Sequence, residues 1–270
     1  MCVRWVAIPD LDGLDRPLSH LSEWQEIFSP FAGRGKTPFS IVTRRAMNRH
    51  RVTEPPRPHP RSLPATPVTP DATPAALRTS RLYSEELGID LATGNDSAYF
   101  RWFLASLLFG GRISETIAKN TYRAFAHHRL LTPRAILRAG REFLVDPIMR
   151  EGGYVRYDGR KSTQILRDCE TLRDEYGGRL RALHDAAQDR TDLERRLLVF
   201  YGVGPVTVNI FLRELRPFWP KADPDPLPIV RELATAYRID LNRYHRKSLA
   251  FTRIEAGLIR LRKTRPRPPR

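Results

Sequence analysis

The chain has 270 residues, a formal net charge of +16 at pH 7 and 41% hydrophobic residues. This length and hydrophobic content are sufficient for one sizeable domain or two small lobes with a buried core. The charge favours a polyanionic partner, because each phosphate neutralised by Lys or Arg releases condensed counterions. A nucleic acid is therefore the expected partner, ahead of an acidic membrane surface, although charge alone identifies no reaction.

The two cysteines, Cys2 and Cys169, limit the chemistry that one chain can support. Two thiols cannot build a disulfide framework, a four-cysteine zinc site or an iron–sulfur cluster, and we predict that the protein needs no cofactor. Cys169 has the spacing of a core position on a helix, and no run of about 20 apolar residues is present to span a bilayer. We expect a reducing compartment and no membrane partner.

Residues 1–80 form a basic, proline-rich segment that we predict to be largely disordered. Such a segment buries too little apolar surface to offset the entropy lost on ordering. Its densest prolines are Pro55, Pro56, Pro58, Pro60, Pro64, Pro67, Pro70 and Pro74. We place one folded domain at residues 81–264 and a short basic tail at residues 265–270.

Helical periodicity starts after Tyr83 and recurs through the predicted domain. Each periodic run follows a residue that caps helix N-termini well, and glycines mark a helix end. The predicted starts are Asp96 or Ser97, Ser114, Thr132 and about Ser162, and the predicted end is Gly177. No comparable alternating strand pattern is present in this region, so the fold is predicted to be all-α.

Residues 191–215 have the pattern of a helix-hairpin-helix. Thr191–Glu194 reads as a capping box, and the turn at residues 201–205 leads directly into a second apolar run. The turn glycines permit a tight backbone path, and free N–H groups at the new helix start can bind a DNA phosphate without reading sequence. The predicted phosphate contacts are Gly202, Val203, Gly204 and Thr207. A plain helix–turn–helix connection in a helical bundle is the alternative.

Downstream of the hairpin, Asp223 and Asp225 lie in a proline-rich segment just before another amphipathic helix. With this arrangement the chain resembles the helix-hairpin-helix (HhH-GPD) DNA glycosylases related to endonuclease III and the alkyladenine glycosylases. The resemblance covers about residues 97–261. Besides the hairpin and the aspartates, it includes the Gly110–Arg112 loop and the Gly153–Tyr154 turn followed by Lys161.

The resemblance implies a base-excision-repair enzyme that flips a damaged or mispaired base from duplex DNA and hydrolyses its N-glycosidic bond. The family's essential aspartate falls on Asp225, from its distance to the hairpin and the Leu227 and Arg231 that follow, with Asp223 as second choice. In the family this carboxylate stabilises the oxocarbenium-like sugar and orients the nucleophile. A purely structural role for Asp225, capping the helix ahead of Pro226, stays open.

Bifunctional members of the family carry a lysine two residues after the second hairpin glycine, whose amine forms a Schiff base. Val206 occupies that position here. The resemblance therefore implies a monofunctional glycosylase that uses water, with a bifunctional glycosylase/lyase as the alternative. Lys221 is interpreted as a phosphate-binding lysine rather than as a substitute amine.

Further roles follow from positions within the resemblance. Arg112 matches the loop from which family members fill the gap left by the flipped nucleotide, with phosphate contact or simple solvation as alternatives. Lys161 is predicted to contact DNA. Tyr154 and Tyr157 are candidates for the base pocket, although packing in the cleft is favoured for either one alone.

The expected architecture is two helical lobes with DNA bound across the cleft between them, and the helices near both ends of the domain share one lobe. We expect a monomer that acts on double-stranded DNA with a lesion or mismatch, in the cytoplasm and associated with the nucleoid. His127 and His128 are interpreted as exposed residues rather than ligands, so no metal site is predicted. The target base stays open, and a noncatalytic DNA-binding module is the alternative to an enzyme.

Overall fold

The structure, a computed structural model, describes residues 73–264, and all regular secondary structure in that range is helical. The predicted all-α class is confirmed there. The α-helices are α1 (Pro74–Arg78), α2 (Tyr83–Glu86), α3 (Asp96–Phe109), α4 (Glu115–His127), α5 (Pro133–Phe143), α6 (Arg150–Gly152), α7 (Asp158–Tyr176), α8 (Leu180–Ala186), α9 (Arg190–Leu198), α10 (Pro205–Leu215), α11 (Pro228–Ala236) and α12 (Leu249–Thr264). A π-helical segment, Leu144–Met149, joins α5 to α6.

Local capping signals fix several helix boundaries where the sequence predicts them. Ser114 accepts a hydrogen bond from the Ile117 N–H at 3.2 Å, and α7 ends at Gly177 in the left-handed region, with a φ of 60°. Thr132 caps α5 in the same way as Ser114 caps α4. The cap of α3 differs from the prediction, because Asn95 rather than Asp96 or Ser97 accepts the capping bond.

The folded part of the chain begins before the predicted boundary at residue 81. Helix α1 lies inside the segment predicted to be disordered, and its Leu77 is buried. Helix α1 forms because Thr73 and Pro74 provide a favourable helix start and because Leu77 packs against the apolar surface of α12. The rest of the predicted extension, including Cys2, and the predicted tail at 265–270 lie outside the described residues.

A large apolar cluster surrounds α3, which packs against α4, α8 and α10. Apolar side chains on all faces of α3 make it a buried helix rather than a surface one. The Phe103 ring packs edge-on against Phe200 and Phe211, each with 5.3 Å between ring centroids, and Trp102 Nε1–H donates to the Phe211 carbonyl at 3.0 Å. These contacts fix α10 against the core of the domain.

A second, smaller apolar cluster joins the two ends of the described chain. It is built from α1, α11 and α12. Its outer edge is tied to α2 and to the residues just before it, because Arg260 pairs with Glu86 at 2.9 Å and Arg253 donates to the Ser80 carbonyl at 2.7 Å. The residues of the cluster are Leu77, Val230, Leu233, Ala234, Ile239, Ile254, Leu258 and Leu261.

Helices α4 and α6 approach one another so closely that only glycine fits at the contact. A Cβ added at Gly152 would overlap the Thr121 side chain and backbone. The short helix α6 is therefore held firmly against α4 even though it has only one turn.

As for membrane insertion, none of the helices in residues 73–264 combines the length and the apolar character that a bilayer crossing requires.

Candidate functional site

Helices α9 and α10 form a helical hairpin whose turn is residues 199–204. The cap of α9 is not the predicted Thr191–Glu194 box. Instead, Asp189 accepts from the Asp192 N–H and Asp192 accepts from the Gln188 N–H, each at 2.9 Å. The N-cap lies two residues earlier than predicted, at Asp189, because aspartate is a better N-cap than threonine.

The hairpin turn presents free backbone donors to solvent. Gly202 has a φ of 69°, a left-handed conformation that favours glycine, and it packs closely against the Gln164 side chain. The first intrahelical bond of α10 runs from the Val208 N–H to the Gly204 carbonyl at 3.0 Å. The N–H groups of Val206 and Thr207 therefore precede the helical bonding pattern and are the donors that a phosphate at the turn would use.

The predicted phosphate-contacting residues separate into exposed and buried side chains. Gly202 is exposed at the turn, whereas the Val203 and Thr207 side chains are buried. Thr207 contacts Gly110 so tightly that a Cβ at that glycine would overlap it. Any contribution of Thr207 to phosphate binding thus comes from its backbone, and its side chain instead brings the Gly110–Arg112 loop against α10.

Asp225 is fixed by three elements that converge beside the hairpin. Its Oδ2 lies 3.0 Å from Arg190 Nη2 at the start of α9, and its Oδ1 lies 3.1 Å from Arg246 Nη2 before α12. Its backbone carbonyl accepts a bond of 2.7 Å from Asn209 Nδ2 on α10. The loop that carries Asp225 therefore has a defined position relative to both hairpin helices.

The Asp225 carboxylate is both exposed and ionised. Its side chain is 57% exposed, and hydrogen bonds from Arg190 and then Arg246 hold its pKa below the ordinary value for an aspartate. It does not cap α11, whose N-cap is Leu227. The purely capping role that the sequence left open is thereby excluded.

Asp223 has a different environment from Asp225, although only one residue separates them. Its carboxylate is 22% exposed and pairs with Arg246 Nε at 3.0 Å and with Arg216 Nε at 3.3 Å. Arg216 is fully buried and also bonds Glu255 and the Pro224 carbonyl. Asp223 belongs to a buried ionic network under the loop, and Asp225 is the carboxylate that faces outward.

A pocket of about 310 Å³ opens next to Asp225, within the size range of small-ligand sites. One wall comes from the hairpin helices and the other from the Asp225 loop and α11. Its apolar lining is Leu198, Pro205, Val208, Pro224, Pro226, Leu227 and Pro228, and its polar lining is Arg190, Glu194, Asn209, Asp225 and Arg231.

The Gly110–Arg112 loop and the Gly153–Tyr154 turn meet on another side of α10. Tyr154 is buried, and its hydroxyl lies so close to Gly111 that an added Cβ there would be 2.9 Å from it. Arg112 is exposed on this loop. Tyr157 is also exposed, so of the two tyrosines suggested for a base pocket only Tyr157 has a ring open to solvent.

The two lysines predicted to contact DNA both donate to backbone carbonyls, Lys161 from a buried position and Lys221 from a partly exposed one. Lys161 is only 8% exposed, and its ammonium donates to the Leu107 carbonyl at 2.9 Å and to Gln164 Oε1 at 2.7 Å. Lys221 donates to the His184 carbonyl at 2.9 Å, at the C-terminal end of α8. Both ammonium groups bond carbonyls in the last turn of a helix, where positive charge is stabilising. The buried Lys161 is therefore not exposed to a phosphate, whereas DNA contact by the partly exposed Lys221 stays a prediction.

Lys161 shares its buried position with Asp168, beneath the hairpin turn. Burial lowers the pKa of Lys161 to about 8 and raises the pKa of Asp168 to about 8. The rise in the pKa of Asp168 is opposed by the Lys161 ammonium, the Tyr201 backbone N–H and the Gln164 side chain. This polar cluster connects α7 to the hairpin. The spacing of its α7 members places them on one helix face but does not predict their burial.

Asp168→Asn is expected to remove a pH dependence of stability. Asp168 ionises near pH 4 in the unfolded chain but keeps its proton up to a pH of about 8 in the folded chain. Between these values the folded state binds one proton more, so the unfolding free energy of the wild type falls as pH rises, by at most about 1.4 kcal/mol per pH unit. Urea unfolding at pH 5 and pH 7.5 measures this effect. The unfolding free energy of the wild type minus that of Asp168→Asn should be smaller at pH 7.5 than at pH 5. The same difference at both pH values would contradict the expectation.

Comparison with protein-family models, with curated proteins and with solved structures finds no match to this chain. The candidate site therefore rests on its own geometry. The residues around Asp225 that sequence reasoning missed are Arg190, Asn209, Arg216 and Arg246.

Proposed function

We propose that this protein is a monofunctional DNA glycosylase of the helix-hairpin-helix superfamily. It would flip a damaged or mispaired nucleotide out of duplex DNA and hydrolyse the bond between base and sugar. The observation that carries the proposal is Asp225, an exposed and ionised carboxylate fixed beside a pocket and against both helices of a hairpin.

The hairpin and the overall charge support DNA as the partner. The N–H groups of Val206 and Thr207 and the exposed Gly202 backbone offer donors of the kind that bind a phosphate without base contacts. A net charge of +16 adds a long-range attraction to any polyanion. The two apolar clusters of the described chain support the two-lobed architecture of the superfamily, with α1 and α12 in one lobe.

The environment of Asp225 suits it for electrostatic stabilisation more than for proton transfer. Arg190 and Arg246 keep its pKa low, which makes it a poor proton acceptor but keeps its negative charge at all working pH values. In base hydrolysis the C1′–N bond breaks with its electron pair leaving on the base, and the sugar becomes positive. A fixed carboxylate next to C1′ stabilises that charge while a water oxygen forms the new bond to C1′.

Water rather than an amine is the proposed nucleophile. Val206 is exposed at the turn where bifunctional enzymes carry their lysine, and no lysine is among the residues that line the pocket in the described chain. The water loses one proton and the departing base gains one. The products are a free base and an abasic deoxyribose in an intact strand.

Arg112 is proposed to fill the gap that base flipping leaves in the duplex. Its exposed loop is held against the first turn of α10 by the Gly110–Thr207 contact, close to the proposed phosphate site. Extruding a nucleotide costs a few kcal/mol, so a side chain that replaces the lost stacking lowers the free energy of the flipped complex.

Base release from a panel of duplex oligonucleotides tests this function. Each duplex carries one lesion or mismatch and is incubated with the full-length chain. The reaction products are then analysed for strand cleavage with and without alkali treatment. Strand cleavage that requires alkali is the expected result, since alkali opens abasic sites. Cleavage without alkali, together with a covalent complex trapped by borohydride, would favour the bifunctional alternative. DNA binding without base release on a broad panel would overturn the enzymatic proposal in favour of a noncatalytic DNA-binding module.

A further inference from the structure

Three potential metal ligands converge at the contact between α4 and α6, far along the chain from Asp225. His128 Nε2 lies 3.0 Å from both carboxylate oxygens of Glu151, and His127 Nδ1 lies 4.0 Å from Oε2 of the same carboxylate. One ligand atom from each of the three residues falls within 4.8 Å of the others. Two imidazoles and one carboxylate are a ligand set that suits metal ions of borderline softness, such as zinc.

The ligands sit on a rigid scaffold. Glu151 lies next to Gly152, whose backbone is pressed against Thr121 of α4 and so fixes α6. The His128 ring is supported edge-on by Phe143, with 5.5 Å between ring centroids. Packing therefore positions Glu151 and His128 independently of the contact between their side chains.

The surrounding charges favour a cation. The three residues gather at the C-terminal end of α4, where the last carbonyls carry partial negative charge. The neighbouring Arg150 does not compete for Glu151, because its guanidinium pairs with Asp146 at 2.6 Å. The Glu151 carboxylate thus has the two imidazoles as its ionic partners in the described chain.

We propose that His127, His128 and Glu151 bind a divalent zinc ion, with water in the fourth position. Zinc bonds of about 2.0–2.1 Å at tetrahedral angles separate ligand atoms by about 3.4 Å. The His128–Glu151 distance is already close to this value. The remaining adjustment falls on His127, whose side chain is 80% exposed.

The ion would cross-link the end of α4 to α6. Helix α6 leads directly into the Gly153–Tyr154 turn, and the Tyr154 hydroxyl abuts Gly111. A zinc ion there would stiffen the support of the Gly110–Arg112 loop without touching Asp225. The sequence led us to expect no metal ligand at His127 and His128, and this proposal replaces that expectation.

Calorimetric titration of the full-length, chelator-treated protein with zinc chloride tests the site. Because Cys2 and the other histidines of the full-length chain offer further zinc ligands, the readout is the loss of one equivalent in a variant relative to the wild type. His127→Ala, His128→Ala and Glu151→Gln are each expected to weaken this equivalent by more than about tenfold. His245→Ala, which removes an exposed histidine elsewhere, is the matched control and should bind as the wild type does.

A thermal shift provides a second readout, because a ligand that binds only the folded state raises the unfolding temperature. Zinc should raise it in the wild type and in His245→Ala but much less in Glu151→Gln, with circular dichroism verifying that each variant is folded. Equal zinc binding by the wild type and Glu151→Gln would overturn the site. Unchanged binding by His127→Ala would overturn the three-ligand assignment.

Discussion

Asp225→Asn is expected to lower the rate of base release by about 100-fold to 10,000-fold while leaving DNA binding intact. The amide has almost the same shape as the carboxylate but cannot stabilise a positive sugar by charge. Asp225 is exposed and its ion pairs with Arg190 and Arg246 lie at the surface, so the loss of stability should stay within about 1 kcal/mol. Single-turnover cleavage at saturating protein, measured beside DNA affinity, separates the chemical step from binding.

Asp240→Asn is the matched control for this experiment. It makes the same chemical change at an exposed aspartate outside the pocket, and asparagine preserves the cap that Asp240 provides to the Asn242 N–H. Its rate of base release should equal that of the wild type. If Asp225→Asn released bases as fast as Asp240→Asn, Asp225 would not be the catalytic carboxylate.

Arg216→Ala is expected to reduce the free energy of unfolding by about 3–5 kcal/mol. Arg216 is fully buried, and its loss would leave the buried Glu255 without its arginine partner and the Pro224 carbonyl with Arg246 as its one remaining side-chain donor in the described chain. It would also remove one of the two arginines that pair with Asp223. The change in urea midpoint, at constant m-value, measures the effect.

A double variant separates charge burial from simple loss of packing. Arg216→Met combined with Glu255→Leu removes both buried charges and keeps apolar volume, so it should recover most of the stability lost by Arg216→Ala. Glu232→Ala, at an exposed position on α11, should change stability by less than about 0.5 kcal/mol. A loss below about 1 kcal/mol in Arg216→Ala would mean that the network under the Asp225 loop is not required for folding.

Features coded by neighbouring residues could be predicted from the sequence. The caps at Ser114 and Thr132 and the helix end at Gly177 involve atoms within a few residues of each other, so their patterns are visible in the chain. The all-α class follows from the same periodicity. The α9 cap was displaced because two cap-forming residues, Asp189 and Thr191, compete within one turn.

Burial of a charged side chain could not be predicted, because its partners come from distant parts of the chain. Lys161 bonds a carbonyl 54 residues away, and Lys221 bonds one 37 residues away. In a chain with 46 Lys and Arg residues, nothing marks Lys161 as buried or Lys221 as bonded to a distant carbonyl. The same reason hides Arg190 and Arg246. Arg246 pairs with both aspartates, and the ion pair with Arg190 is what distinguishes Asp225 from Asp223.

The pairing of α1 with α12 has a consequence for synthesis of the protein. The Arg253–Ser80 contact joins residues 173 positions apart, and Leu77 is covered by the last helix of the described chain. On the ribosome, the small cluster cannot close until α12 has left the exit tunnel, so Leu77, Val230 and Leu233 stay uncovered until α12 has been synthesised. A chain terminated before α12 would keep this apolar surface exposed and become a target for chaperones and proteases.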